Sequence, residues 1–199
     1  MLLPYLDSNR KEAGCDEVGR GCLCGPVVAA AVILPQDYAN ALINDSKLLT
    51  KKSRKSLVEE IKMQAICWSI AEASVEEIDK INILNASFLA MTRAIQQLSV
   101  TPEYLLIDGN RFKSELTIPF SCIVKGDSKY ASIAAASILA KEYRDDLMSS
   151  LSHHYPGYAW EKNAGYPTRS HREGIMKSGL TPLHRKSFRQ LPDQLTLPF

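Results

Sequence analysis

The chain has 199 residues, of which 45% are hydrophobic and 23% charged, and its 24 Lys and Arg against 22 Asp and Glu leave a formal net charge of +2. This is the composition of a globular protein with a core to bury, and it excludes disordered, fibrous and low-complexity classes. No apolar run approaches the roughly 18 residues of a membrane span, and Met1 to Lys11 lack a basic stretch followed by a long apolar one, so no membrane or export segment is expected. The five cysteines, Cys15, Cys22, Cys24, Cys67 and Cys122, are odd in number and scattered, which argues against a disulfide framework and for the cytosol.

Glu12 to Val18 reads as a short strand, Gly19 to Gly25 as a loop, and the β-branched run Pro26 to Leu34 as a second strand. Thr50 is placed to cap a helix through KKSRKSLVEEIK, with Leu57, Val58 and Ile61 on its buried side and a basic opposite face. Ile66, Trp68 and Ile70 alternate with Cys67, Ser69 and Ala71 in a third strand. Ser74 and Glu77 have the spacing of a capping box, and Leu84, Phe88, Met91, Ile95 and Leu98 recur as the core stripe of an amphipathic helix. Tyr104 to Ile107 is an apolar strand ending on Asp108, and Phe120 to Val124 another that runs into Lys125-Gly126-Asp127. The stretch YASIAAASILAKEYRDDLMSS then has the propensity of a long helix, small and apolar enough to lie buried on the sheet. These elements predict an α/β fold with a mixed five-stranded sheet flanked by helices over residues 1–150, and a small C-terminal helical lobe and tail over 151–199.

Charge is clustered. Between Asn44 and Ser56 five cations face one anion, and from Trp160 onward seven face three. Two such patches on a small domain suit a polyanion, and Arg185, Lys186 and Arg189 are candidate contacts to a duplex backbone. Four acids stand out by position: Asp16 and Glu17 near the end of the first strand, Asp108 at the end of the fourth, and Asp127 at a strand-to-helix junction. Carboxylates converging beyond strand ends repel one another unless a cation neutralises them, and an all-oxygen set suits a hard ion, Mg²⁺ or Mn²⁺. Adjacent strand residues point to opposite faces, so Asp16 and Glu17 both face inward only if the strand bends; otherwise Glu17 acts through its carbonyl or a water. The histidines, His153, His154, His171 and His184, are read as structural or phosphate-contacting, since metal-assisted hydrolysis needs no histidine base.

Asp16-Glu17-Val18-Gly19-Arg20-Gly21, Asp45-Ser46-Lys47, Ile107-Asp108-Gly109-Asn110, Lys125-Gly126-Asp127, the run Ser132 to Lys141 and Gly165-Tyr166-Pro167-Thr168 together resemble the bacterial type 2 ribonucleases H. The matches run in order from Gly14 to Phe188. The resemblance implies a ribonuclease H-like fold and a cytoplasmic endonuclease, a monomer by default, that cuts the RNA strand of RNA/DNA hybrids and incises 5′ to single ribonucleotides in duplex DNA. Two metal ions would leave 5′-phosphate and 3′-hydroxyl ends. It assigns Asp16, Glu17, Asp108 and Asp127 as catalytic metal ligands and the Gly19-Arg20-Gly21 backbone as the reader of the ribose 2′-hydroxyl. Tyr166 would pack on the neighbouring sugar, and Ser46 and Lys47 would contact phosphate. Cys22, Cys24 and Leu48 depart from the family pattern, where proline, alanine and lysine are expected. The terminal Gln194, Leu195, Leu197 and Phe199 are similar to sliding-clamp docking peptides. A DNA-only nuclease of the same fold and a non-catalytic hybrid-binding module are the competing readings.

Overall fold

In the first strand, small side chains alternate faces, and helices cover both. The computed structural model describes residues 2–38, 43 and 50–191. Strands β1 (Glu12–Val18), β2 (Val27–Ile33) and β3 (Cys67–Ala73) pair antiparallel, while β4 (Tyr104–Asp108) runs parallel to β1 and β5 (Phe120–Ile123) parallel to β4, giving the order β3-β2-β1-β4-β5. This is the mixed five-stranded sheet expected. Every residue of β2 is buried. Ala29, Ala31 and Ile33 face helix α2 (Val75–Gln96), whereas Val28, Ala30 and Val32 face α1 (Lys51–Gln64) and α3 (Ala131–His154). Two cores therefore lie on either side of one sheet.

The expected caps form. The Thr50 hydroxyl accepts from Ser53 N–H at the start of α1, and Ser74 and Glu77 close a reciprocal capping box on α2. At Asn82 α2 breaks: φ is +66°, and the Asn82 side chain accepts from Asn85 N–H at 3.1 Å, restarting the helix. The core stripe expected on α2 is only partly core. Met91 and Ile95 are buried beside Ala86, Ala90 and Ala94, but Leu84 and Phe88 remain part-buried and line a cleft at the sheet's end. In β3 the small residues Cys67, Ser69, Ala71 and Ala73 take the buried side. Trp68, on an edge strand, stays 37% exposed with the Lys62 ammonium over its ring.

At Gly14, helix α3 lies directly on β1 with no side chain between them. A Cβ on Gly14 would fall 2.2 Å from the Ser132 carbonyl carbon and 2.3 Å from Ile133 N. The alanines at 134, 135, 136 and 140 keep the rest of the contact close. The helix then runs on to carry Met148 into a third cluster with Leu23, Cys24, Tyr158, Trp160, Ala164 and Ile175, which joins α4 (Trp160–Asn163) and α5 (Arg169–Ser178) to the loop after β1. Ion pairs Arg54–Glu142 and Lys55–Asp146 tie α1 to α3 and neutralise part of the first basic cluster. Among the described residues no helix is long and apolar enough to cross a membrane. Because the Gly14 contact is backbone on backbone, Gly14→Ala should lower stability by roughly 1–3 kcal/mol or more, read from urea unfolding at unchanged m.

Candidate active site

Parallel pairing sets the site. Glu12 lies opposite Tyr104 and Cys15 opposite Ile107, so β1 and β4 deliver Asp16, Glu17 and Asp108 to one end of the sheet. Asp16 lies on the α3 side, beside Ser137, while Glu17 reaches both sides of the strand end: it lines a cleft of about 300 Å³ with Asp108, Arg20, Leu84 and Phe88, and a second with Ser137, Lys141 and Arg54. Both reach the sheet's end, and each feels the charge of Asp108. Asp108 accepts the Gly126 N–H at 2.7 Å, which brings the 3-10 turn Gly126–Ser128, and with it Asp127, against the strand ends.

The acids are short of positive charge. Burial and then the Glu17 charge push the Asp16 carboxyl up to about 8, against the hydrogen bond from Ser137. Burial also raises Glu17, opposed by Arg20, whose Nη1 donates to Glu17 Oε1 at 3.0 Å. Asp108 is raised by burial and by Asp127, opposed by the Gly126 N–H. Glu17 Oε2 is buried with no hydrogen-bond partner. A buried carboxylate oxygen without a donor, amid acids that raise one another, is the signature of a place built for a cation.

A second group of ligand-type atoms gathers elsewhere. Among the described residues, Cys24, His171 and His184 place theirs within 4.8 Å of one another. His171 Nδ1 faces the Tyr166 carbonyl at 3.0 Å and must donate, so its Nε2 accepts from Trp160 Nε1 at 3.0 Å and from His184 Nε2 at 3.2 Å. His184 Nδ1 in turn accepts the Thr181 N–H at 2.9 Å. A metal on His184 Nε2 would force a proton onto Nδ1, donor against donor, and burial pushes the Cys24 thiol up to about 12. The group is a hydrogen-bonded core, which gives His171 and His184 their structural role; His153 and His154 are exposed at the end of α3.

The loop following β1 is held from beneath. Arg144 and Arg185 are both fully buried, and each spends its guanidinium on carbonyl oxygens. Arg144 donates to Cys24, Pro26 and Ala164 at 2.7–3.0 Å. Arg185 donates to Gly19 at 2.7 Å, Arg20 at 2.9 Å and Gly25 at 2.9 and 3.0 Å. This corrects the sequence expectation that Arg185 touches duplex: its side chain is interior, while Lys186 and Arg189 are exposed. The two glycines of Gly19-Arg20-Gly21 differ. Gly19 has φ +92° and lies on the Arg144 side chain, 2.2 Å from where a Cβ would meet Nε, so the fold itself requires it. A Cβ on Gly21 would meet nothing within 4 Å; nothing in the protein's own packing demands glycine there, and the open space suits the close approach of a ligand.

Tyr166 stands beside this loop, 37% exposed. Its carbonyl accepts from Thr168 N–H at 2.7 Å and from His171, its N–H donates to the Asn163 carbonyl at 2.9 Å, and its hydroxyl is hydrogen-bonded with the buried Cys22 thiol. The chain thus brings Asp16, Glu17, Asp108 and Asp127 to one end of the sheet, with Gly19, Arg20 and Gly21 directly after β1. Ser46 and Lys47, and the tail residues Gln194, Leu195, Leu197 and Phe199, lie outside the described residues. Arg144 was not singled out from sequence, Ser137 stood out only as one position of the run Ser132 to Lys141, and the hydrogen bond between His171 and His184 was not foreseen. A lone Ser or Arg in an apolar helix carries no signal beyond its being polar where the neighbours are not.

An α/β sheet with acids at the ends of adjacent parallel strands is the architecture of ribonuclease H-type proteins. Solved structures agree on the fold: ribonuclease H2 of Pyrococcus horikoshii OT3 (TM-score 0.76, 24% identity, 90% of this chain and 94% of that one) and the PCNA:RNase HII complex of Archaeoglobus fulgidus (0.74, 24%, 93% and 98%). Bst-RNase HIII in complex with Mn²⁺ is also similar (0.63, 21%, 89% and 64%). The chain belongs to the ribonuclease HII family: the family model, Ribonuclease HII, matches residues 13–191. Curated ribonucleases HII are 62% identical in Parabacteroides distasonis and 60% in Bacteroides thetaiotaomicron, over all of both chains. Membership makes it a ribonuclease H, an endonuclease for the RNA strand of RNA/DNA hybrids.

An acid whose folded pKa is raised keeps its proton while the unfolded chain has already lost it, so its contribution to stability is fullest in acid and declines as pH climbs from about 4 towards 8. In chelator, Asp16→Asn should therefore melt higher than the parent protein at pH 8, with the difference closing towards pH 4. Thermal melts at the two pH values check it.

Proposed function

We propose that the protein incises duplex DNA 5′ to a single embedded ribonucleotide, as well as cutting longer hybrids, and leaves 5′-phosphate and 3′-hydroxyl ends. The observation that carries the reading is the donorless Glu17 Oε2 among four converging acids, next to a glycine loop with open space over Gly21. Asp16, Glu17, Asp108 and Asp127 are the residues that would hold Mg²⁺ or Mn²⁺, two ions with substrate in place, and the similar Bst-RNase HIII structure is a Mn²⁺ complex. Bound there, a divalent ion supplies an activated water and a counter-charge for the leaving oxygen.

The chain's own residues do the recognition. The Gly19-Arg20-Gly21 backbone reads the 2′-hydroxyl, the feature that separates RNA from DNA at one nucleotide. Tyr166 packs on the adjoining sugar, and Ser46 and Lys47 hold phosphate, positioning the duplex without reading bases. Residues 1–150 act as the catalytic domain, and 151–199 complete the substrate surface. A monomer in the cytosol fits five free cysteines. The tail residues Gln194, Leu195, Leu197 and Phe199 dock on a sliding clamp, a reading supported by a structural neighbour that is a complex with PCNA; removing residues 194–199 should abolish clamp affinity.

The first test is a labelled duplex with one ribonucleotide, incubated with Mg²⁺, Mn²⁺ or chelator beside an all-DNA duplex. Metal-dependent cutting 5′ to the ribonucleotide alone is expected; equal cutting of both duplexes would turn the assignment to a DNA nuclease, and binding without cutting to a hybrid-binding module. Asp16→Asn should retain binding and lose at least about a hundredfold in rate. Tyr166→Ala should cut a lone ribonucleotide about tenfold more slowly, the cost of one ring contact, at a melting temperature close to the parent's; a parallel fall in both would mark Tyr166 as a core residue. Binding should weaken steeply as salt rises from 50 to 200 mM, through released counterions.

A further inference from the structure

We propose that Arg185 is a positioning residue for ribose recognition, its buried guanidinium turning the two peptides of Gly19-Arg20-Gly21 so that the N–H groups of Arg20 and Gly21 face the substrate. The inference rests on the proposed 2′-hydroxyl reading and deepens it.

The argument is one of peptide geometry. In a planar trans peptide the carbonyl and the N–H point in opposite directions. Arg185 Nη2 takes the Gly19 oxygen at 2.7 Å and Nη1 the Arg20 oxygen at 2.9 Å. The first oxygen belongs to the peptide that carries the Arg20 N–H, the second to the peptide that carries the Gly21 N–H. Drawing both oxygens towards the interior turns both N–H groups away from it, and with no protein atom within 4 Å of a Cβ on Gly21 there is room beside them for a ligand. One rigid fork sets two successive peptides with donors at a fixed separation, an orientation that the freely rotating donors of a single ammonium do not impose.

The fork is itself fixed. Its Nε and Nη2 also hold the Gly25 oxygen, the Arg185 N–H donates to the Leu23 carbonyl at 2.9 Å, the Phe188 ring lies 5.0 Å from the guanidinium carbon, and Gln190 bonds the Arg185 carbonyl. Arg185 faces no carboxylate in these contacts. The buried charge is held mainly by carbonyl oxygens, with the Phe188 ring beside it and Asp79 acting on it from a distance, an arrangement that costs stability and suits a residue kept for orientation. Arg144 packs under the Gly19 α-carbon and grips Cys24, Pro26 and Ala164, so it supports the loop without touching the two reading peptides.

The test is equilibrium binding in chelator of two duplexes identical except for one ribonucleotide, with Mn²⁺ binding and the circular dichroism spectrum as independent checks of the acid site and the fold. If the parent protein itself shows no preference for the ribonucleotide duplex, the proposed function fails. Given a parent preference, Arg185→Lys should reduce it by about tenfold, the worth of the hydrogen bonds to one hydroxyl, with Mn²⁺ affinity unchanged. A folded Arg185→Lys that keeps the preference overturns the inference and leaves the function standing. Should Arg185→Lys be unfolded at the assay temperature, Arg185→Ala is measured with ethylguanidinium or ethylammonium added. Preference restored by the planar guanidinium alone supports the inference, and any other pattern overturns it.

Discussion

Everything in this molecule is arranged around the direct contact of α3 with β1. With Gly14 offering no side chain and the facing helix offering alanines, the two backbones meet at a separation that would not admit one methyl group. That contact fixes the helix along its whole length. Its leading turn lies beyond Asp127, its second turn brings Ser137 to Asp16, its second half aims Arg144 under the loop after β1, and Met148 reaches the lobe formed by α4 and α5. A single close-packed line thus relates four parts of the site that are far apart in sequence, and a shift of the helix by one residue would misplace all of them together.

Charge is distributed around that line in two opposite ways. On one side, acids are crowded into partial burial with too few donors, so their protons are held more tightly than in water. On the other, two guanidiniums are buried among carbonyl oxygens, and Arg185 is pulled down to about 10 by its burial. Neither group neutralises the other. The acids remain available to an external cation, and the arginines to the backbone whose shape they hold. Arg20 is the exception: exposed, on the loop, and paired with Glu17, it links the two regions at the surface.

Much of this was legible in the chain. Periodicity gave the strands, the Thr50 and Ser74 caps and the buried Ala-rich helix, because these depend on local residue order. The ordered set of short motifs gave the acids, the glycine loop and Tyr166. What escaped depends on long-range geometry. Leu84 and Phe88 share a stripe with Met91 and Ile95, but stay part-buried and border a cleft with Glu17 and Asp108. That Asp16 and Glu17 both lie within reach of the Asp108 charge shows only when β4 is seen beside β1. Arg185 read as one more cation in a basic stretch, since composition cannot tell a solvated guanidinium from one that has replaced water with five hydrogen bonds to carbonyls.

The span of those last bonds has a consequence for local stability. The β1–β2 hairpin closes between near neighbours in the chain, but the loop within it is shaped by partners 118 to 166 residues away. Opening the segment after α5 would leave the sheet and its acids in place while freeing the loop carbonyls that Arg185 holds. Amide exchange would then divide the hairpin into two classes, slow in the strands and faster at Gly25, whose N–H is bonded to the Leu183 carbonyl. The hairpin's turn, in kinetic terms, belongs to the far end of the chain.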